Sequence, residues 1–517
     1  MTVNQRRCAS APDHRVVILG AGIAGIGLGI RLKQAGIEDF VILERADDFG
    51  GTWRDNVYPG VAVDIPGFGY QFSFEMKRDW RRVFPTGGEV KAYLDGCVDK
   101  WGLRPHIRLG VEVTGGTYDD ENALWHVETL RGPLAARFLI IAVGPFAEPK
   151  MPDIPGLDEF DGALLHTARW DRDVELDGRR VAVVGTGASA VQVAPTVAPV
   201  VRSLTVFQRT PVWVMPRPDV AFGPMRHVLK RLPLVNEAAR AATIGGIEMV
   251  AGRVWRAAPP RLVERISRAH MRVCVSDAET RRRLTPKYGF GCQPFGISNA
   301  YWRTFNRDNV TLETTPIERV TPRGIRTCDG VEHPFDVIVM ATGFADHTPP
   351  VPLRGAGGAD LRDYWREHRP QAYEGATVPG FPNLLFVLGP HAYTPGSYTN
   401  LVEVQATHHI RLIKEAERRK AVAVEVTQDA TARFLGEVDR AMDGNFLRGE
   451  ACARSNSFYV DDNGEITILR PQTLIKAWWR ARHFPLEDYL FHREPATSDH
   501  STVSAVASSP TPRIASM

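Results

Sequence analysis

The sequence predicts an α/β fold: two dinucleotide-binding (Rossmann-like) domains, interleaved in sequence, with an inserted helical subdomain. Three observations predict it. A short β-branched run, Arg15–Leu19, leads straight into the glycine turn GAGIAG and then into a helical pattern. The same strand–turn–helix order recurs at Arg180–Val184 and GTGASA. Two further apolar runs, LIIAVGPF and DVIVMATGF, end in glycine turns and read as strands that return to the first and second sheet.

At 517 residues the chain exceeds what one core supports, and two or three domains are expected. The boundaries read as 14–150 and 381–495 for the first domain, 151–220 and 286–380 for the second, and 221–285 for the helical subdomain. Residues 1–13 and 496–517 read as disordered tails, the latter rich in Ser, Thr, Pro and Ala. With 44% hydrophobic and 24% charged residues and a net charge of +3, dispersed, the composition excludes a nucleic-acid face. No apolar run is long enough to span a bilayer and no signal-peptide pattern is present, so a cytoplasmic protein without stable membrane insertion is expected. The six cysteines show neither CxxC nor Cys/His metal spacing; reduced thiols and no metal are expected. His408 and His409 are adjacent on a helix and point apart, which argues against a metal pair.

In the first unit Gly20 allows the tight turn, Gly22 lets backbone approach a pyrophosphate, and Gly25 lets helix and strand pack closely. The helix N-terminus then offers N–H groups to phosphate. The next strand, DFVILER, ends in Glu44, placed to accept from ribose hydroxyls, with Arg45 beside it. Residues 50–64, GGTWRDNVYPGVAVD, form a loop with several turns. Gly51, Thr52, Trp53 and, further on, Tyr70 join the cofactor-binding candidates. Trp53 and Tyr58 can cover a flat ring, or pack in the core. Asp64 reads from its loop position alone as a cap or turn residue.

In the second unit Gly185, Gly187, Ser189, Ala190 and Gln192 occupy the turn and the helix start, Ala190 standing where a third glycine is common. The strand that follows ends in Gln208, Arg209 and Thr210 rather than an acid. Arg209 suits a 2′-phosphate and favours NADPH over NADH. Tyr393 and Tyr398, in HAYTPGSYTN, line a pocket or lie on a surface loop.

Between the two turns runs FDGALLHTARWD, residues 160–171. Two units in this order resemble the flavin-containing monooxygenase superfamily and, more closely, the Baeyer–Villiger monooxygenases. That family's signature, F-x-G-x-x-x-H-x-x-x-W followed by P or D, is filled by Phe160, Gly162, His166, Trp170 and Asp171. A second signature is filled by Gly50, Gly51, Trp53, Tyr58, Pro59, Gly60 and Asp64. The stretch CARSNSFYVDDNG, residues 452–464, also looks like the family, and the resemblance covers roughly residues 14–492. It implies FAD on the first unit, NADPH on the second, and O2 as co-substrate. A C4a-peroxyflavin would insert oxygen into a ketone to give an ester or lactone; its protonated form would oxygenate sulfur or nitrogen. Asp64 and His166 are the implied catalytic residues, with residues 160–171 as a hinge. Oligomeric state is left unspecified.

One segment departs from the family. Where members carry Lys-Arg in a GCKR-like run, this chain reads Gly291, Cys292, Gln293, Pro294. The family's Arg stabilises the reacting anion and pairs with the residue matching Asp64; a proline offers neither charge nor donor. An unpaired buried Asp64 would tend toward its protonated form. Three outcomes are open: a cation from Lys287, Arg303 or the helical subdomain substitutes; the reaction turns to heteroatom oxygenation; or coupling is poor and the protein acts as an NADPH oxidase or redox protein.

Overall fold

The computed structural model describes residues 11–254, 261–345, 349–394, 396–449, 452, 455, 459 and 465–493. The expected tails, apart from residues 11–13, lie outside the described residues, as does most of 452–464.

The first sheet is built around β1 (His14–Leu19), whose last four residues are buried. β1 pairs in parallel on both edges, with Val16 opposite Phe40 of β2 (Phe40–Leu43) and opposite Phe138 of the later strand at 134–141. Neighbours on both sides and helices over its faces explain why it runs apolar without alternation. The sheet continues through β3 (Ile107–Arg108), β4 (Val113–Asp119), β5 (Leu124–Thr129) and β6 (Leu134–Ile141), with β4–β5 and β5–β6 antiparallel. α1 (Ile23–Gln34), the single turn α2 (Thr52–Asp55) and α3 (Gly87–Lys100) belong to this half.

The second sheet begins with β7 (Ala163–His166), β8 (Arg180–Val184) and β9 (Ser203–Phe207), with α4 (Ala188–Val197) between β8 and β9. After the short strand β10 (Val214–Met215), four helices occupy most of residues 225–284: α5 (Met225–Lys230), α6 (Pro233–Val254), α7 (Arg261–Cys274) and α8 (Ala278–Leu284). β11 (Gly296–Ile297) then pairs in parallel with β10. β12 (Val310–Glu313) joins the sheet, a three-stranded antiparallel element follows as β13 (Ile317–Thr321), β14 (Gly324–Thr327) and β15 (Glu332–Pro334), and β16 (Val337–Met340) completes a parallel order β12-β9-β8-β16-β7. The chain then returns to the first sheet: β17 (Leu353–Arg354) pairs with β4, and β18 (Leu384–Phe386) with β6. After the short α9 (Tyr301–Thr304) and α10 (Leu361–His368), the long α11 (Tyr398–Arg419) packs against α1.

The stretch 160–171 does not run free between the halves. Its middle is β7, an edge strand with Leu165 opposite Val339. Gly162 is needed because a Cβ there would lie 2.5 Å from the Asp336 carbonyl oxygen. The chain crosses where residues 148–150 run beside 343–345: Lys150 N donates to Gly343 O at 2.9 Å and Ala345 N to Glu148 O at 2.9 Å.

The histidine pair is core. His408 stacks on Phe484 with ring centroids 4.1 Å apart, and His409 Nε2 meets the Phe386 carbonyl at 3.1 Å. Tyr393 and Tyr398 are packed against the same core rather than on the surface. The expectation of reduced thiols is corrected for one pair. Cys292 and Cys452 form a disulfide, with Cα atoms 5.1 Å apart across 160 residues of sequence. Both are buried, which shields the bond from cellular thiols. The bond ties the 291–294 segment to the C-terminal part of the first half. A cross-link closing so long a loop restricts the unfolded chain, and the double variant Cys292→Ser/Cys452→Ser is expected to lose about 2–4 kcal/mol in urea unfolding. Superimposable unfolding curves of the parent and the double variant would contradict this.

Candidate active site

At the first turn Gly20 holds φ +99°, and a Cβ on Gly25 would lie 1.9 Å from the Gly20 carbonyl oxygen. Only hydrogen at position 25 lets α1 start where β1 ends. Gly51, at φ +53°, presses on Gly22: its Cβ would come within 2.9 Å of the Gly22 Cα. Neither α1 nor α4 has a side-chain cap or an acidic residue in its first turn. α3 and α11, by contrast, are capped by Thr86 and Ser397. Two helices with uncapped N-terminal amides behind glycine turns fit two dinucleotide phosphates.

Glu44 is buried and anchors the first turn, accepting from Ala21 N at 3.0 Å and Ala46 N at 3.1 Å while pairing with Arg54 at 3.1 Å. Arg45 instead reaches Glu148 and the Ala147 carbonyl. Trp53 donates from Nε1 to the Tyr70 hydroxyl at 3.1 Å, the two rings meeting edge to face. Burial pushes the Tyr70 phenol well above its usual range, so it stays a neutral donor and acceptor.

The loop 58–64 carries the contact between the halves. Gly60 lies so close to α4 that a Cβ would be 2.6 Å from the Gln192 carbonyl oxygen. Gln192 then binds the loop four times: Oε1 accepts from the Tyr58 hydroxyl at 2.9 Å and from Ala62 N at 3.3 Å, and Nε2 donates to Ala62 O and to Asp64 Oδ1, both at 3.0 Å. Burial raises Tyr58 to about 12, against a hydrogen bond from Ser189. Asp64 is raised to about 6 by burial, while Arg217 and the Gln192 amide pull it back. Asp64, Tyr58, Ser189 and Gln192 are thus brought together across the two halves.

In the second unit Gly185 has φ +119°, and a Cβ would sit 2.4 Å from Ala341 O, whereas around Gly187 a Cβ would meet nothing within 4 Å. That open space lies at the start of α4. Thr186 Oγ1 fixes the strand end by donating to Thr210 O at 2.6 Å. Arg209 is exposed. Arg209→Ala is expected to raise KM for NADPH about 10–100-fold with little change for NADH, since about 1–3 kcal/mol per charged hydrogen bond is lost only with the 2′-phosphate. Steady-state kinetics with both nucleotides check it.

His166 sits apart from this cluster. Its Nδ1 accepts from Ala168 N at 3.1 Å and its Nε2 faces the Thr342 hydroxyl at 3.5 Å. Burial, then Arg169, lowers its pKa and keeps it neutral. Lys287 and Arg303, the two named substitutes for the family arginine, are both exposed. The helical subdomain does send in a half-buried cation, Arg240, but it pairs with Glu403 of α11 at 3.7 Å. Arg217 was not foreseen: it lies in a Pro-bounded segment with no motif around it. Gln293 accepts from the Tyr288 hydroxyl at 3.0 Å, and Pro294 is exposed. Among the described residues no group of three or more His, Cys, Asp or Glu side chains could hold a metal, and no helix is long and apolar enough to cross a membrane.

A family model described as "Pyridine nucleotide-disulphide oxidoreductase" matches residues 17–232. A Baeyer–Villiger monooxygenase of Streptomyces coelicolor is 37% identical over 483 residues, covering 92% of each chain. Another, of Pseudomonas aeruginosa, is 36% identical over 442 residues, covering 84% of each. Cyclohexanone monooxygenase of Rhodococcus sp. Phi1, solved bound to NADP+, superposes with a TM-score of 0.82 at 27% identity, over 93% of this chain and 100% of that one. With two uncapped glycine-turn helices and a loop that bridges them, the chain belongs to the Baeyer–Villiger monooxygenase family and is an FAD- and NADPH-dependent flavin monooxygenase.

Proposed function

We propose that this chain inserts one oxygen atom from O2 into a small-molecule ketone, giving an ester or lactone, at the seam where loop 58–64 meets α4. The observation that carries the reading is the Asp64–Gln192–Tyr58 cluster, because it places one ionisable carboxyl between the two nucleotide units. Bound flavin supplies oxygen activation and NADPH supplies hydride. The chain's residues do the rest. α1 and α4 hold the phosphates, Arg209 selects the 2′-phosphate, and Trp53 with Tyr70 walls the first site. Asp64 holds charge at the seam, and His166 keeps the 342–344 turn in place as a neutral hydrogen-bonding residue. Cys292 and Cys452 close the 291–294 segment down on the C-terminal part.

Gln293 and Pro294 stand in this reading where the family has Lys-Arg, so the charge that serves the site comes from elsewhere in the chain. NADPH is an intracellular reductant, which supports action in the cytoplasm. Purified FAD-loaded protein, supplied with NADPH and panels of cyclic and linear ketones, sulfides and tertiary amines, tests the reading. Ester or lactone from at least one ketone is expected. Sulfoxide or N-oxide with no ester from any ketone would replace ketone insertion by heteroatom oxygenation. Hydrogen peroxide equal to the NADPH consumed with every compound would make the chain an oxidase.

A further inference from the structure

β10 and β11 pair in parallel, with Met215 opposite Ile297, and the pairing is extended by Ser298 N to Met215 O at 3.0 Å. Two residues past β10 comes Arg217; two past β11 comes Asn299. They lock together through backbone and side chain: Arg217 N donates to Asn299 Oδ1 at 2.9 Å and Asn299 Nδ2 to Arg217 O at 2.7 Å. Arg217 therefore stands level with Asn299, just past the end of β11, on the same two-stranded ribbon that Gln293 and Pro294 lead into from its other end. Its guanidinium turns toward the first half. Nη2 donates to the Phe84 carbonyl at 3.3 Å, and the group lies over the Phe84 ring, 5.0 Å from its centroid. The residues flanking Phe84 are paired to the Asp64 loop: Val63 N donates to Pro85 O at 3.0 Å and Gly67 N to Val83 O at 2.7 Å. The guanidinium thus sits on the backbone ribbon that borders Asp64. It is not saturated there, since its buried Nε has no hydrogen-bond partner and Asp219 approaches only to 3.6 Å.

We propose that Arg217 is the positioning cation of this site: from the 83–85 backbone that borders the Asp64 loop it keeps Asp64 charged, where Gln293 and Pro294 supply no charge. The proposal rests on the reading of those two residues given above. Burial pushes Asp64 toward its neutral form, and Arg217 and the Gln192 amide oppose it. Burial also lowers Arg217, with Asp219 and Asp64 holding its charge and Arg82 opposing. Tyr58 faces Asp64 as a neutral phenol at working pH. Arg217 does its work through Asp64.

The sign of the pH dependence follows. Asp64 titrates at about 6 in the folded chain against 3.8 in the unfolded one. The folded state holds the proton more tightly, so this group's contribution to stability falls as pH rises from 3.8 to about 6 and is level above. Without Arg217 the folded value moves up, and the fall continues to a higher pH. The test is a set of melting curves of the FAD-loaded protein at pH 5.5 and pH 8 for the parent, Arg217→Gln, Asp64→Asn and the double variant. Arg217→Gln is expected to lower the melting temperature more at pH 8 than at pH 5.5, and Asp64→Asn is expected to abolish that excess. Equal losses at both pH values, or an excess that survives Asp64→Asn, would leave Arg217 only its Phe84, Asn299 and Asp219 contacts and overturn the proposal. In turnover with a ketone, Arg217→Gln is expected to divert several-fold more NADPH to hydrogen peroxide, with Arg217→Lys recovering part of the product. Unchanged product per NADPH would also overturn it. A parent that makes no ester would defeat the proposed function, while the melting series would still decide the Arg217–Asp64 pair.

Discussion

Gly25→Ala is expected to yield colourless protein. The added methyl would lie 1.9 Å from the Gly20 carbonyl oxygen and 3.4 Å from the Ile42 side chain, so α1 must leave β1 or the turn must open. Gly20 cannot yield in return: at φ +99°, with the Ala142 carbonyl oxygen 2.9 Å from where its own Cβ would be, it is fixed by the neighbouring strand. Either movement takes the α1 amides away from the phosphate they would hold, and flavin retention is expected to fall at least about 100-fold, the equivalent of two charge-assisted hydrogen bonds. Absorbance of the purified protein near the flavin band measures it. Gly187→Ala is the matched comparison. Nothing lies within 4 Å of its Cβ, so the fold and the flavin stay while the methyl enters the space beside the second helix end. Its NADPH affinity falls and its yellow colour remains. Parental flavin content in Gly25→Ala would contradict the close packing of this turn.

Glu374→Ala is expected to cost about 3–5 kcal/mol of unfolding free energy, the largest single-residue loss in stability. Glu374 and Arg470 are 2% and 1% exposed and form an ion pair. Arg480 meets the same carboxylate at 2.5 Å, and Arg470 also donates to Gln472 at 3.1 Å while lying over the Phe434 ring. The Glu374 backbone carbonyl takes a hydrogen bond from Gln405 of α11 at 3.0 Å. Deleting the carboxylate strands a buried guanidinium that burial already disfavours. The paired change Glu374→Leu/Arg470→Met removes both charges and is expected to recover most of the loss. Urea unfolding of the three chains is the check; a loss below about 1 kcal/mol in Glu374→Ala is what an exposed pair would give.

What was legible in the sequence is what neighbouring residues decide. β1, the glycine turn and α1 follow from one another along a few residues, and the same holds for β8 and α4. Fold and cofactor pair could therefore be read directly. The return of β6 and β16 was legible because buried parallel strands run apolar. The site was less so. Asp64 was found through a signature, but Gln192, which donates to it at 3.0 Å, lies in the other half, and no local pattern joins them. Lys287 and Arg303 were reasonable cations by type and position, yet both face outward, which is decided by tertiary packing rather than by residue identity. The Cys292–Cys452 bond escaped for a similar reason: cysteines 160 residues apart carry no spacing signal. Residues 160–171 named the family correctly, but β7 makes the middle of that stretch part of a sheet, and the crossing between halves falls at 148–150 and 343–345.

The most direct measurement is a turnover in oxygen-18 gas. FAD-loaded protein is given NADPH, isotopically labelled O2 and a ketone it accepts, and the ester, peroxide and consumed NADPH are quantified together. One labelled oxygen in the ester, with one ester formed per NADPH, is the predicted result. Unlabelled ester, or NADPH consumed wholly to hydrogen peroxide, would contradict the account.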